Sequence, residues 1–335
     1  MSSAPHIEEQ LVQFIQEYQE INGTHIEVYE NPPTSVEFLR NCVHPNRPAV
    51  IKNAFSHWPA YNLWTNEYLR EKMGDSIVTV ATTPNGYADA VTYDSVTDQE
   101  YFALPHEKKM TLDRFLGIME GNIATPHAHY ISLQNDSLHT EYAILKDDIE
   151  EEIDWCSEAL GKKPDAVNFW MGNDKSITSL HKDPYENCYA VLRGKKTFVL
   201  LPPSEYYCLH EQLYPSAIYT PTTTSDDDVH ASYKLTPLDP PMKTPWIPVD
   251  PLHPDLERYP RFQYAKPIVV TIEKGEMLYL PALWFHQVLQ YGDEGVIAIN
   301  AWYDMDYRNM LYPSFGLFRN LLLTGGDDSD DEDEE

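Results

Sequence analysis

Apolar residues near the start of the chain recur at helical spacing. Over residues 7–21 they return close to every 3.6 positions, which predicts an amphipathic helix. Thr34 follows two prolines and is a candidate N-cap, so a short helix is expected directly after it. Similar patterns predict helices over residues 65–73, 111–119 and 143–160, and from about Pro313 to residue 323.

Strand patterns dominate the second half of the chain. Alternation of apolar and polar residues, bounded by Pro, Gly and Asn, is typical of strands. Strands are predicted over residues 46–54, 76–82, 129–133, 186–192, 196–201, 267–273, 276–280, 284–290 and 295–303. Residues 202–262 are rich in Pro, Tyr and Asp and too long for an ordinary loop, so they are interpreted as an insertion with its own local structure.

Short strands with helices at both ends predict a mainly β fold with flanking helices. The expected architecture is a double-stranded β-helix, the antiparallel jelly-roll barrel that includes the cupins, with a ligand at its mouth. The barrel is assigned to residues 126–305 and the region that supports it to residues 1–125. A C-terminal helix is assigned to residues 306–324, and residues 325–335 are expected to form a disordered acidic tail.

Composition limits the function classes. Apolar residues make up 42% of 335, enough for a sizeable core. The formal net charge is −29, and the acidic tail carries only eight of the acids, so direct binding to nucleic acid is not expected. A basic protein partner is favoured electrostatically, although an acidic surface also serves solubility.

The four cysteines are scattered and form no CxxC pair, which argues against a zinc ribbon or a secreted disulfide scaffold. No signal peptide and no long apolar run are visible, so no membrane span is expected. The chain is therefore expected to be an intracellular protein. A cytoplasmic location is expected, and the nucleus stays open because no strong basic import cluster is seen.

His181 and Asp183 form the first candidate site. They are two residues apart, so an extended segment points both side chains the same way. Such an N and O pair is two-thirds of a 2-His-1-carboxylate triad, which leaves open positions on non-haem Fe(II). In a chain with 13 histidines this pair alone is a weak signal. His286, brought close by the fold, is the expected third ligand.

Lys196 begins an otherwise apolar strand and shares a face with Phe198 and Leu200. Such a lysine either extends to the surface or pairs with an anion inside the barrel. The HxD pair only 13 positions earlier favours the second interpretation. In the preceding strand, Asn187 faces the same way as Tyr189.

His181, Asp183 and His286, with Asn187 and Lys196 at these offsets, resemble the JmjC-type 2-oxoglutarate oxygenases. The pattern covers about residues 130–303. Over nearly the whole chain the resemblance is to the (3S)-lysyl hydroxylases within that family. The stretches that extend it are residues 45–54, 83–91, 164–170, 245–248 and 275–286.

The resemblance implies a role for each position. His181, Asp183 and His286 would hold Fe(II), and 2-oxoglutarate would chelate the metal, with O₂ as cosubstrate. A buried cation and hydroxyl donors would receive the distal carboxylate of 2-oxoglutarate, and these would come from Lys196, Thr178 and Tyr130. The positions around iron and cosubstrate would be Asn187, Asn300 and Trp302.

The implied reaction converts 2-oxoglutarate to succinate and CO₂ while a substrate C–H is hydroxylated. The implied substrate is a protein, through C3 of a lysine in a GTPase of the developmentally regulated GTP-binding, translation-factor class. Asp89, Tyr185 and Glu186 are acidic or aromatic groups that could meet the lysine ammonium, or they are simply structural. Together with the apolar faces at residues 7–21 and 308–323, the resemblance also predicts a homodimer.

Three other functions stay open on the sequence. The same site in a histone-directed demethylase would hydroxylate an N-methyl group and release formaldehyde. The same three ligands could hold zinc in a peptidase that acts on histone tails, although no HExxH is present and Lys196 would then have no purpose. A non-enzymatic binding barrel would have no need of the three ligands together.

Overall fold

The computed structural model describes residues 4–222 and 229–323. The helices are α1 (Ala4–Asn22), α2 (Ser35–Phe38), α3 (Ala60–Leu63), α4 (Asn66–Met73), α5 (Leu112–Met119), α6 (Asp154–Leu160) and α7 (Leu311–Leu323). The strands are β1 (Glu27–Tyr29), β2 (Ala49–Ile51), β3 (Ile77–Thr83), β4 (Tyr87–Ala88), β5 (Ala90–Asp94), β6 (Gln99–Leu104), β7 (His106–Thr111), β8 (Ala128–Tyr130), β9 (Ala166–Gly172), β10 (Ile177–His181), β11 (Tyr185–Arg193), β12 (Lys195–Leu201), β13 (Gln212–Pro221), β14 (Tyr233–Pro237), β15 (Lys243–Trp246), β16 (Ile268–Glu273), β17 (Met277–Leu280), β18 (Phe285–Tyr291) and β19 (Val296–Asp304).

Eight strands form two facing antiparallel sheets. The first sheet has the order β17–β11–β19–β9, and the second has the order β16–β12–β18–β10. Apart from β12 and β16, which are paired in the second sheet, successive strands of these eight alternate between the sheets, and the arrangement is a jelly-roll barrel. The mainly β prediction is confirmed.

Strands from the N-terminal region extend both sheets. β2 pairs antiparallel with β17, β1 pairs parallel with β2, and β4 pairs parallel with β10. Residues on both sides of position 125 therefore share the same sheets. The predicted division between a supporting region and the barrel stays a prediction.

The strand period of two divides each sheet into two faces. On β11, Tyr189 and Val191 point into the barrel and pack in a cluster with Phe198. Cys188 and Ala190 point the other way, into a second cluster formed with the N-terminal helices. Each large apolar side chain buried in this way contributes about 1.5–3 kcal/mol, so both faces of this sheet stabilise the fold.

The predicted helix over residues 143–160 is two separate elements. A 3₁₀ turn covers Ala143–Asp148 and α6 begins only at Asp154. Between them the backbone is extended at the buried residues Ile149 and Ile153. Asp148 accepts hydrogen bonds from Trp64 Nε1 (2.9 Å) and Tyr68 Oη (2.7 Å), so tertiary contacts with the acidic run override local helical spacing.

The described residues between β12 and β16 have local structure of their own. Two 3₁₀ turns (Pro203–Leu209 and Pro260–Tyr264) flank β13, β14 and β15, and β13 pairs parallel with β6.

The predicted helices near both ends of the chain are present as α1 and α7, and they pack on the outside of the second sheet through Ile15, Phe285 and Phe315. The predicted acidic tail, residues 325–335, lies outside the described residues. None of the described helices combines the length and apolar character needed to cross a bilayer.

Candidate metal centre

His181 and Asp183 stand at the end of β10. His181 is its last residue, and Asp183 lies in the bend that leads to β11, so the two are not on one continuous extended strand. The bend nevertheless brings His181 Nε2 within 3.8 Å of Asp183 Oδ2. An irregularity in the β10–β18 register between Thr178 and His181 lets both side chains line the same cleft, although they are three residues apart.

His286 on β18 completes the group. It is the cross-strand partner of His181, with ring centroids 4.2 Å apart, and its Nε2 lies 3.8 Å from Asp183 Oδ2. One ligand atom from each of the three residues lies within 4.8 Å of the others. The backbone N–H of Leu283 donates to the carbonyl of Asp183 (2.9 Å), which ties the two ligand-bearing segments together. Leu283 has a φ of 67°, a costly conformation for leucine that this bond and its burial maintain.

Both histidines are oriented by backbone carbonyls. His181 Nδ1 lies 2.8 Å from the Ser179 carbonyl oxygen, and His286 Nδ1 lies 3.0 Å from that of Trp284. A carbonyl can only accept, so each Nδ1 carries the proton and each Nε2 has a lone pair toward the cleft. Burial, reinforced by the nearby His181, lowers the pKa of His286 to about 4 and keeps it neutral. Two imidazoles and a carboxylate fit a divalent metal of the Fe(II) type.

Lys196 lies inside the barrel on β12, only 1% exposed. Its Nζ donates to the Tyr130 hydroxyl (2.9 Å) and lies 5.2 and 5.5 Å from the ring centroids of Tyr130 and Tyr189. No carboxylate in the described part of the chain forms an ion pair with it. Burial lowers the pKa of this ammonium to about 7. A buried cation without a counter-ion is the condition in which an anionic ligand gains most.

The cleft that contains the triad encloses about 400 Å³, counting its open mouth. Thr178 and Tyr130 both line it, beside His181 and Asp183. Thr178 belongs to β10 and Tyr130 to β8, so separate strands bring two hydroxyls to one wall. Burial raises the pKa of Tyr130, which therefore stays a neutral phenol.

Asn187 and Asn300 form the floor of the cleft. Asn300 Oδ1 accepts from Trp170 Nε1 (2.8 Å) and Asn168 Nδ2 (3.3 Å), and its Nδ2 donates to Asn187 Oδ1 (3.2 Å). This network assigns the amide orientations. Because Asn187 Oδ1 is engaged, its Nδ2 is the group that can donate into the cleft.

Trp302 lies opposite Asn187 on β19 and stacks on Tyr185, with ring centroids 4.9 Å apart and planes at 7°. Trp302 lines the cleft, and its Nε1 is buried without a hydrogen-bond partner among the described residues. Tyr185 is thereby placed at the same end of the barrel as the triad.

Asp89 lies between β4 and β5 and lines an adjoining cleft together with Thr178 and Tyr130. Its backbone has a φ of 51°, and its carbonyl accepts from Ser179 Oγ (2.5 Å). Burial raises the pKa of its carboxyl group, while His181 acts in the opposite direction. The structure therefore brings Asp89 close to the triad.

Glu186 is not brought to this site. It follows Tyr185 on β11 and faces the other side of the sheet, where its carboxylate accepts from Tyr279 Oη (2.6 Å) and from the Ala282 N–H (3.3 Å). The expectation that it meets a substrate ammonium is corrected here, because a strand places neighbouring residues on opposite faces. Burial raises the pKa of this carboxyl group.

The sequence interpretation missed two residues that support His181. Trp246 lies parallel to the His181 ring at 6.3 Å between centroids, with planes at 5°, and its Nε1 donates to Ser179 Oγ (3.0 Å). Ser179 also provides the carbonyl that orients His181. The only signal for Trp246 was its presence in one of the stretches that carry the resemblance.

A jelly-roll barrel that gathers two histidines and one carboxylate beside a buried lysine belongs to the cupin-type non-haem oxygenase class. The model of the Cupin-like domain family matches residues 35–309. The chain belongs to this family and to its JmjC group, and it is a 2-oxoglutarate-dependent dioxygenase. JmjC oxygenases generally use Fe(II) and 2-oxoglutarate.

Three curated relatives align over most of their own length. The chain is 44% identical to the bifunctional peptidase and (3S)-lysyl hydroxylase JMJD7 of Homo sapiens, over 89% of this chain and 89% of that protein. It is 40% identical to the lysine-specific demethylase JMJ32 of Arabidopsis thaliana, over 90% and 87% respectively. It is 41% identical to JmjC domain-containing protein E of Dictyostelium discoideum, over 84% and 85%.

Proposed function

We propose that this protein is an Fe(II)- and 2-oxoglutarate-dependent protein hydroxylase that acts on C3 of a lysine side chain. The observation that carries the proposal is the meeting of His181, Asp183 and His286 in one cleft, whose wall includes the Tyr130 hydroxyl that accepts from the buried Lys196. A lysyl hydroxylase that is 44% identical supports the choice of lysine. A GTPase of the developmentally regulated GTP-binding class is the proposed protein substrate, on the resemblance alone.

Each group in the cleft has one part in the proposed reaction. The three ligands would hold Fe(II), which with 2-oxoglutarate supplies the O₂ activation that inserts one oxygen atom into a C–H bond. Lys196 would neutralise the distal carboxylate, with the hydroxyls of Tyr130 and Thr178 beside it.

The remaining groups position and enclose. Asn187 Nδ2 would donate to the cosubstrate, held in place by the amide of Asn300. Trp302, stacked on Tyr185, would close the side of the cleft and exclude water from the reacting C–H. The reaction depends on placing one C–H within reach, which is a matter of rigid positioning.

The substrate ammonium is assigned to Asp89 with Tyr185 as an aromatic wall. Asp89 is an acid beside the triad cleft, and its carboxylate forms no ion pair within residues 4–222 and 229–323. Asp89 would supply a partly buried carboxylate and Tyr185 an aromatic surface, and these suit the charged end and the apolar methylenes of a lysine side chain.

The test is mass spectrometry of a lysine-containing GTPase peptide incubated with the protein, Fe(II), 2-oxoglutarate and O₂, with His181→Ala as the control. A lysine heavier by one oxygen, formed only with 2-oxoglutarate and intact His181, is the expected result. Succinate without a mass change would keep the oxygenase and reject the substrate. If neither the hydroxylated lysine nor succinate is formed, the proposal as a whole is rejected.

Two relatives carry names that define the competing outcomes of the same experiment. A methylated lysine that becomes lighter by one methylene, with formaldehyde, would indicate demethylation, the activity in the name of the Arabidopsis relative. Shortened peptides would indicate the peptidase activity in the name of the human relative. Hydrolysis gives no role to Lys196, which is why hydroxylation is preferred.

A homodimer through α1 and α7 is proposed as well. Both helices expose large apolar side chains, with Phe14 49%, Leu317 63% and Leu321 65% exposed. Light scattering that gives the mass of a single chain would reject the dimer.

The cytoplasm is the proposed compartment, with nuclear localisation as the alternative, and cell fractionation would decide between them.

A further inference from the structure

Gln290 is a buried amide that the proposed reaction has not used. It lies near the end of β18 and is 2% exposed. Its cross-strand partner on β12 is Lys196, so the two side chains are direct neighbours on the inner face of the same sheet. His286, four positions earlier on β18, faces the same interior.

Neither Gln290 Oε1 nor Nε2 has a hydrogen-bond partner in the described part of the chain. A buried amide left unpaired destabilises the folded state, because it has given up its hydrogen bonds to water and gained none in return. The fold accepts this cost beside Lys196, whose ammonium has the Tyr130 hydroxyl as its one hydrogen-bond acceptor among the described residues. Two adjacent buried donors with unmet capacity point to a ligand that accepts hydrogen bonds from both.

Gly172 shows where the amide is directed. A Cβ added there would lie 2.6 Å from Gln290 Nε2 and 2.6 Å from Tyr130 Cδ2. The amide nitrogen and the Tyr130 ring therefore both pack closely against Gly172, on the side of the barrel that holds Lys196. A side chain at position 172 would collide with both groups, so glycine is what lets them lie side by side there.

We propose that Gln290 Nε2 is a further hydrogen-bond donor to the distal carboxylate of the dicarboxylate cosubstrate, completing a clamp with Lys196 and Tyr130. This inference rests on the proposed function, because it assumes that 2-oxoglutarate binds in this cleft. A carboxylate has about four acceptor sites, so one ammonium, one phenol and one amide can all be satisfied together.

The clamp explains why position 290 carries a neutral amide and not a carboxylic acid or an apolar side chain. A carboxylic side chain beside Lys196 would be an internal counter-ion and would compete with the cosubstrate. An apolar side chain would leave one carboxylate lone pair unmet. Glutamine binds the ligand without cancelling the charge that attracts it.

The experiment measures binding of 2-oxoglutarate by calorimetry to the full chain loaded with Mn(II), together with the melting temperature of the ligand-free protein. Gln290→Leu should weaken 2-oxoglutarate binding roughly tenfold and leave the melting temperature unchanged or raised, because it removes an unpaired buried amide. Gln290→Glu should weaken binding further, roughly a hundredfold, because the new carboxylate pairs with Lys196.

Gln287→Leu is the matched control, since it removes a second buried glutamine of β18 that faces the other side of the sheet and donates to Asp250. It should leave 2-oxoglutarate affinity unchanged. Unchanged 2-oxoglutarate affinity in Gln290→Leu would overturn the inference. A lowered melting temperature of that variant would then indicate that the amide binds a buried water. No binding by the wild-type chain would instead overturn the proposed function.

Discussion

The ammonium of Lys196 and the hydroxyl of Tyr130 are 2.9 Å apart inside the barrel, and this hydrogen bond replaces the ion pair that a buried lysine usually requires. A phenol compensates a full charge only in part, so the pKa of Lys196 falls to about 7. The surrounding groups are two tyrosines and Gln290, none of which is charged at neutral pH. The free protein therefore holds this lysine near the midpoint of its titration.

Binding of 2-oxoglutarate should therefore take up a proton. The bound dianion fixes Lys196 in its charged form, whereas the free protein loses that proton as the pH rises through about 7. We therefore expect a larger proton uptake per ligand at pH 8 than at pH 6. Calorimetry in buffers of different ionisation enthalpy, on Mn(II)-loaded protein, measures this number directly.

Lys196→Arg is the control for proton uptake, because its guanidinium stays charged throughout this range. Binding by that variant should show no buffer dependence at pH 8. Equal enthalpies in all buffers for the wild-type chain would show that Lys196 is already charged before the ligand arrives.

Removal of a metal ligand should strongly weaken metal binding without unfolding the barrel. Disturbing a partner that only orients a ligand costs about 10–100-fold in metal affinity, so Asp183→Asn, which replaces a ligand itself, should cost at least that much. The measurement is a Mn(II) titration followed by electron paramagnetic resonance. His129→Asn is the control, since His129 is a buried histidine outside the triad. Full metal occupancy in Asp183→Asn would contradict the assigned site.

The period of two made much of the site readable from the sequence. It correctly places Lys196 with Phe198 inside the barrel, and Asn187 with Tyr189. The same rule separates Glu186 from Asn187, so the sequence already held the reason to exclude Glu186 from the cleft. The HxD pair could be recognised because His181 and Asp183 lie only two positions apart in the sequence.

Contacts between distant segments could not be read in this way. Trp246 reaches His181 only because β15 pairs with β13 within the insertion, and no local pattern fixes that pairing. Gln290 lies in a strand predicted correctly, but its neighbour Lys196 depends on the β12–β18 register. The break between the 3₁₀ turn at Ala143–Asp148 and α6 likewise follows from the bonds that Asp148 accepts from Trp64 and Tyr68.

Substitutions of Asp89 and Glu186 should have different effects on the recognition of a lysyl peptide. Asp89→Asn should raise KM for a lysyl peptide roughly tenfold and reduce the preference for lysine over norleucine, because it removes the proposed partner of the ammonium. Glu186→Gln should leave both unchanged, since its carboxylate faces Tyr279. Steady-state kinetics with paired lysine and norleucine peptides measures the preference. An effect confined to Glu186→Gln would reverse the assignment.

The raised pKa of Glu186 adds a stability signature to the same variant. A carboxyl group whose folded pKa is raised contributes stability at low pH that is lost as the pH rises through the folded value. Gln cannot ionise, so Glu186→Gln should gain stability relative to the wild-type chain as the pH increases above the usual pKa of glutamate. Melting temperatures across that range measure the difference, and parallel curves for the two proteins would contradict it.

Gly172 should tolerate no larger residue. Gly172→Ala places a methyl group 2.6 Å from Tyr130 Cδ2, an atom of a rigid ring, and 2.6 Å from Gln290 Nε2. Overpacking of this kind costs about 1–3 kcal/mol in unfolding free energy, and the displaced ring should loosen the hydrogen bond to Lys196 and weaken 2-oxoglutarate binding. Denaturant unfolding and ligand titration measure the two effects. Gly316→Ala on α7 is the control, because nothing lies within 4 Å of its added Cβ and an alanine there favours the helix. If both variants bind 2-oxoglutarate like the wild-type chain, the packing of Tyr130 and Gln290 against Gly172 does not support the cosubstrate site.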